Sequence, residues 1–118
     1  MIARTWHATA APENADAYSG HFASEVVPHL KDIAGHRGAL LLRRPVGDLV
    51  EFVAITLWDS MEAVRQFAGA RPDAAKVEPQ ATAVLARFDE FVTHHEVAGG
   101  FTRDYDIDGP ALSPSPGR

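Results

Sequence analysis

The chain has 118 residues, with 11 Lys and Arg against 16 Asp and Glu, a net charge of -5 with neutral histidines, and no cysteine. Without a basic stripe, nucleic acid and anionic membrane surfaces are poor partners; without a thiol there are no disulfides, thiolate nucleophiles, iron–sulfur clusters or cysteine zinc sites. A single domain burying roughly two-thirds of its unfolded surface is expected, and with no signal-like start and no apolar run near the roughly 18 residues of a membrane span, a cytoplasmic protein is expected.

Residues 1–8, MIARTWHA, have strand character from Ile2, Thr5 and Trp6. Pro12 then opens a helical pattern in which Ala15, Tyr18, Phe22, Val26, Leu30 and Ile33 recur at spacings of three and four, forming one apolar stripe. Pro28 lies inside that helix and removes a backbone hydrogen bond, so a kink or break is expected near Ser24 to Pro28. Gly35 is the expected left-handed cap that ends it.

Residues 38–60, GALLLRRPVGDLVEFVAITLWDS, read as two strands around the turn Pro45-Val46-Gly47-Asp48. In the second strand both faces are mostly apolar, Leu49, Val53, Ile55 and Leu57 on one and Val50, Phe52, Ala54 and Trp58 on the other, so both faces need a cover. The even face, with two aromatics, a small Ala54 and the Thr56 hydroxyl, is the candidate pocket wall.

Asp59 is the expected N-cap of the next helix, with Glu62 completing a capping box and Val64, Phe67 and Ala68 on its apolar side. Residues 73–88 contain Pro79 and read as two short helical pieces around a bend. Residues 88–97, FDEFVTHHEV, read as the last strand, placing His94 with Glu96 on one face and His95 on the other. The domain is expected to span 1–98, followed by a Gly/Pro/Ser-rich tail over 99–118 that reads as a flexible or surface-running extension, with packing on the body or a partner through Phe101 and Tyr105 as the alternative.

The order strand, helix, strand, strand, helix, strand predicts an α+β protein, a ferredoxin-like βαββαβ fold with an antiparallel sheet. Helices are available for one face only. The other face is expected to meet its twin, giving a homodimer joined sheet to sheet.

Four stretches, MIARTWHA, VVPHLKDIAGHRG, VAITLWDSMEAVRQFAG and FVTHHEV, resemble the antibiotic biosynthesis monooxygenase family of the dimeric α+β barrel superfamily, over about residues 1–98. The resemblance implies an oxygenase without a cofactor, acting on a small aromatic or polyketide-like substrate in a cleft between sheet and helices. In such chemistry the substrate anion itself reduces dioxygen, so the protein supplies a base, a dry pocket and donors for developing charge. Trp58, in LWDS, matches the tryptophan that lines the cleft in oxygenases of the family. The superfamily also contains haem-degrading enzymes, polyketide cyclases and isomerases. Residues 71–80, where the haem-degrading relatives place their ligand, contain no histidine, so haem is not expected.

Six histidines supply candidate proton carriers. His21, Glu25 and His29 lie four residues apart, but Pro28 distorts the helix that would have to gather them; the trio is read as a solvated flank and no metal site is expected. His29 is either a surface residue or, turned by the kink, a base in the cleft. His94 is the preferred proton-handling group, because Glu96 shares its face, with a hydrogen-bonded structural role as the alternative. The candidate catalytic set is therefore His94, His29 and Trp58. Trp6, Phe22, Phe52, Thr56 and Phe67 are candidate substrate contacts, the aromatics being core residues otherwise. Arg4, an odd charge on a central strand, binds a substrate anion or pairs with a carboxylate such as Glu96. Two other functions remain open: a cyclase or isomerase working through a histidine, and a non-catalytic protein that binds a small hydrophobe.

Overall fold

A computed structural model describes residues 1–101. Of the two rings through which the alternative reading packs the tail, Phe101 is exposed and Tyr105 lies outside the described residues.

The chain begins on β1 (Ile2–Ala10) and enters α1 (Pro12–His21), whose first turn takes Pro12 where a missing N–H costs nothing. A π-helical turn over Phe22–Val26 joins α1 to α2 (Val27–Lys31). This is the defect expected around Pro28. A proline ring collides with the carbonyl four residues back, here that of Ser24, and the wider π turn opens that space. The Val27 N–H reaches back to the Phe22 carbonyl, one residue further than in an α-helix.

Gly35 does take a left-handed conformation, with φ +83°, but not as the cap expected of it: the helix ends at Lys31 with Asp32 at its C-cap. Gly35 lies in the following turn, pressed against α3 (Met61–Ala68), where a Cβ would stand 2.6 Å from that of Ala63. Its carbonyl accepts from the Asp59 N–H at 2.8 Å.

β2 (His36–Val46) and β3 (Leu49–Trp58) form the expected hairpin, with Gly47 at φ +59° in a turn tighter than the four residues foreseen. The cap of α3 is Ser60 rather than Asp59. Ser60 is extended and its Oγ accepts from the Ala63 N–H at 3.2 Å, while the Asp59 carboxylate is engaged by Arg37.

Among the described residues beyond α3, α4 (Pro79–Thr82) is the one helix, where two pieces were expected over 73–88. The last strand is likewise divided, into β4 (Arg87–Phe88) and β5 (Thr93–Glu96). Between them the backbone turns to other partners: the Asp89 carbonyl accepts from Trp6 Nε1, Glu90 O from Ala75 N–H, and the Val92 N–H donates to Asp73 O.

The sheet runs β2-β3-β1, with β4 and β5 both on the free side of β1 and every pairing antiparallel. That is the strand order of the ferredoxin-like fold. Register places Arg4 between Thr56 and His94, and Trp6 beside Ala54. Arg4, Ala8, Ala10, Val50, Phe52 and Trp58 are buried on the even face beneath the helices. On the opposite face Leu40 and Leu42 of β2 stand 57% and 49% exposed.

Candidate active site

Two core clusters hold the helices on the sheet. One gathers Ala10, Ala15, Tyr18, Val50, Phe52 and Ala81; the other gathers Leu30, Trp58, Ala63 and Val64. Between them a cleft of about 110 Å³ remains. Its floor is the even face of β1 and β3, its helix wall comes from α1, the π turn and α2, and its third wall is the segment 75–81.

The helix wall follows from spacing. Tyr18, His21 and Phe22 lie three and four residues apart, so they share one side of the helix, and Val26 and Leu30 continue that side through the π turn. Burial pushes the Tyr18 hydroxyl up to about 12, so it is a proton donor at any physiological pH, and it finds no hydrogen-bond partner among the described residues.

On the floor, Arg4 is 6% exposed. Its guanidinium donates to the carbonyls of Pro72 at 2.6 Å and Ala74 at 3.0 Å, and stands 5.6 Å from the centre of the Phe67 ring. No carboxylate pairs with it among the described residues; Glu96, the partner expected as one alternative, sits opposite Ile2 instead. Burial lowers the proton affinity of Arg4, partly offset by the charge of Asp73. A buried guanidinium with N–H donors to spare has the chemistry to take an anion.

His94 lies 3.3 Å from Arg4 Nη1 through Nε2. Since a guanidinium only donates, Nε2 accepts and the ring is neutral with its proton on Nδ1. Burial first, then the Arg4 charge, lowers its pKa, with Asp73 opposing and His95 reinforcing. His94 thus stands behind Arg4, outside the cleft lining, and its lone pair is already in use. His29 is exposed on α2, also outside the lining.

Trp58 is fully buried beneath the cleft. Its Nε1 donates to Thr56 Oγ1 at 2.9 Å, which leaves the threonine hydroxyl proton for the cleft, and its ring lies 5.0 Å from that of Phe67. Phe52 is equally buried, supporting Tyr18 at 4.9 Å between centroids. Arg4, Trp6, Phe22, Thr56 and Phe67 line the cleft itself.

Four polar lining residues escaped the sequence reading: Tyr18, His21, Lys76 and Glu78. The signal for His21 was present, since it falls between Tyr18 and Phe22 on the apolar stripe, but pairing it with Glu25 and His29 directed attention to the flank. Those three do not form a metal group among the described residues. His21 instead turns inward, with Nε2 3.9 Å from Glu78 Oε1. Lys76 donates to the Phe67 carbonyl at 3.0 Å and caps that ring at 4.6 Å.

No curated protein matches the chain significantly. Among solved structures, a Bacillus cereus protein assigned to antibiotic biosynthesis monooxygenases superposes with a TM-score of 0.63 at 17% identity, covering 86% of this chain and 95% of that one. MhuD of Mycobacterium tuberculosis, described as a haem degrader with two haems bound, gives 0.58 at 21% identity, with 86% and 100% covered. A substituted form of MhuD with two manganese protoporphyrins per active site gives 0.57 at 20%, with 86% and 99% covered. At such identities the likeness is one of fold. The antibiotic biosynthesis monooxygenase family model, however, matches residues 1–72, which include both cleft-forming strands, the helix wall and α3. The chain therefore belongs to the antibiotic biosynthesis monooxygenase family, whose members include monooxygenases and haem-degrading enzymes.

Proposed function

We propose that the protein is a cofactor-independent monooxygenase acting on a small, electron-rich aromatic or polyketide-type substrate, bound as an anion in the cleft. The observation that carries this reading is Arg4, a buried guanidinium with no carboxylate partner among the described residues, set in a mostly apolar cleft. The cleft leaves the substrate poorly hydrated, so the guanidinium and the Thr56 hydroxyl bear on its negative charge in a low dielectric. An electron-rich anion held this way passes electrons to dioxygen directly. One oxygen atom enters the product and the other leaves as water with two substrate hydrogens, so the product gains one oxygen and loses two hydrogens.

Size narrows the substrate. A cleft of about 110 Å³ favours a small substrate. The wall segment 75–81 carries no histidine to ligate a haem iron. Haem chemistry is accordingly no part of this reading. The exposed apolar face of β2 supports a homodimer joined through the sheets. No helix among the described residues is long and apolar enough to cross a membrane, and we place the enzyme in the cytoplasm.

The test is oxygen uptake and product mass with hydroquinone and with an anthrone, chelator present. Uptake above autoxidation, with the mass change just described, is expected for hydroquinone. No uptake on either substrate, or uptake that requires added metal or haem, would overturn the reading. Loss of water or a change of isomer with no dioxygen taken up would instead identify a cyclase or isomerase.

A further inference from the structure

We propose that His21, facing the Glu78 carboxylate and beside the Tyr18 ring, is the base that ionises the substrate, and that this substrate is a single-ring hydroxyaromatic bound as its phenolate. The assignment rests on the reading of the cleft as an anion site and extends it to the proton. All six histidines lie among the described residues, and His21 alone lines the cleft. His94 already accepts from Arg4, and His29 is in solvent. His36 is edge-on to Trp58, while His7 and His95 are exposed on the opposite face of β1 and β5.

The His21 side chain is 10% exposed, and the carboxylate 3.9 Å from its Nε2 belongs to Glu78, which is 53% exposed at the mouth. A carboxylate on that side keeps a proton at Nε2, leaves Nδ1 as the basic nitrogen and balances the imidazolium once formed. A separation of 3.9 Å is longer than a formed hydrogen bond, as unliganded acid–base pairs often are. Glu78 is thus a positioning residue.

The step conserves charge and needs no oxidant. The hydroxyl O–H bond breaks, its proton passes to Nδ1, and the electron pair stays on oxygen as phenolate. Tyr18, one helical turn before His21 with ring centroids 6.2 Å apart, remains protonated and donates to that oxygen, opposite the free N–H groups of Arg4. Tyr18, Glu78, Arg4 and Lys76 are the titratable groups that face the cleft beside His21.

The test uses 4-nitrophenol, a single ring whose phenolate absorbs visible light, titrated into the protein about one unit below the pH at which the free phenol ionises. The wild type is expected to bind it as phenolate while the His21 Cε1 proton shifts to its imidazolium position by NMR. His21→Gln should still bind the phenol, with the ionised fraction down about tenfold, one unit of pKa. Glu78→Gln should lower it less, and Glu78→Asp should restore it. Urea midpoints of the variants, close to wild type, separate this from unfolding.

A phenolate band that persists in His21→Gln, an unprotonated His21 in the wild-type complex, or no binding at all would each overturn the proposal. Oxygen uptake on hydroquinone, run in parallel, separates the two readings. Ionisation without uptake leaves the base in place and removes the oxygenase; uptake that survives His21→Gln removes the base and leaves the oxygenase.

Discussion

Replacing Arg4 by Met keeps the apolar stem and removes the only charge on the cleft floor. The guanidinium ties β1 to the loop at 72–74 through Pro72 O and Ala74 O. Hydrogen bonds from a charged donor contribute about 1.5–3 kcal/mol each, so two amount to about 3–6 kcal/mol. Against this, removing the cation relieves a desolvation cost of a few kcal/mol, and both half-buried carbonyls are able to turn partly to water. A net loss of about 2 kcal/mol is expected.

With a urea slope of about 1–3 kcal/mol per molar, the midpoint at fixed protein concentration should fall by roughly 1 M. The loss should be local as well. Residues 75–78, which begin the third wall of the cleft, follow the released loop and should lose amide protection first. Arg4→Lys should fall between the two, because a point charge does not span both carbonyls. An Arg4→Met variant as stable as the wild type, with residues 72–78 equally protected, would refute the account of Arg4 as a strut as well as an anion site.

Gly35→Ala forces a methyl to 2.6 Å from Ala63 Cβ at a positive φ, and should cost about 2–4 kcal/mol. Gly47→Ala, at φ +59° with nothing within 4 Å, should cost only about 1 kcal/mol; equal thermal shifts would contradict the close approach of this turn to α3. His94 and His36 both have lowered pKa values, so the unfolded chain binds the extra protons. Their contribution is complete above about pH 6.5 and is lost as pH falls below it. His94→Gln, which still accepts from Arg4, should flatten the fall in urea midpoint between pH 7 and 5. Leu40→Glu with Leu42→Glu places charges on the exposed β2 face and should convert a dimer to monomer by sedimentation; a monomeric wild type would overturn the sheet-to-sheet dimer.

The family match ends at residue 72, yet the wall that carries Lys76, Glu78 and Ala81 follows it. The strands of the floor and the helix wall lie within that match. Glu78, which completes the proposed acid–base pair, lies beyond it.

Period and composition alone determined the strand and helix order, the hairpin, the defect at Pro28 and the even-face location of Thr56. These are local consequences of a period of two or of 3.6 and of a ring with no N–H, and they need no distant partner. What only the tertiary structure decided is where long-range pairs form. Asp59 is diverted to Arg37 and leaves the cap to Ser60; the last strand breaks because residues 89–92 bond to Trp6 and to the 73–75 loop; His94 spends its lone pair on Arg4. His21 meets Glu78 across 57 residues of sequence. No spacing rule reaches that far: a side chain's chemistry at a site depends on the partner that packing brings within a few ångströms, and that partner is chosen by the whole fold at once.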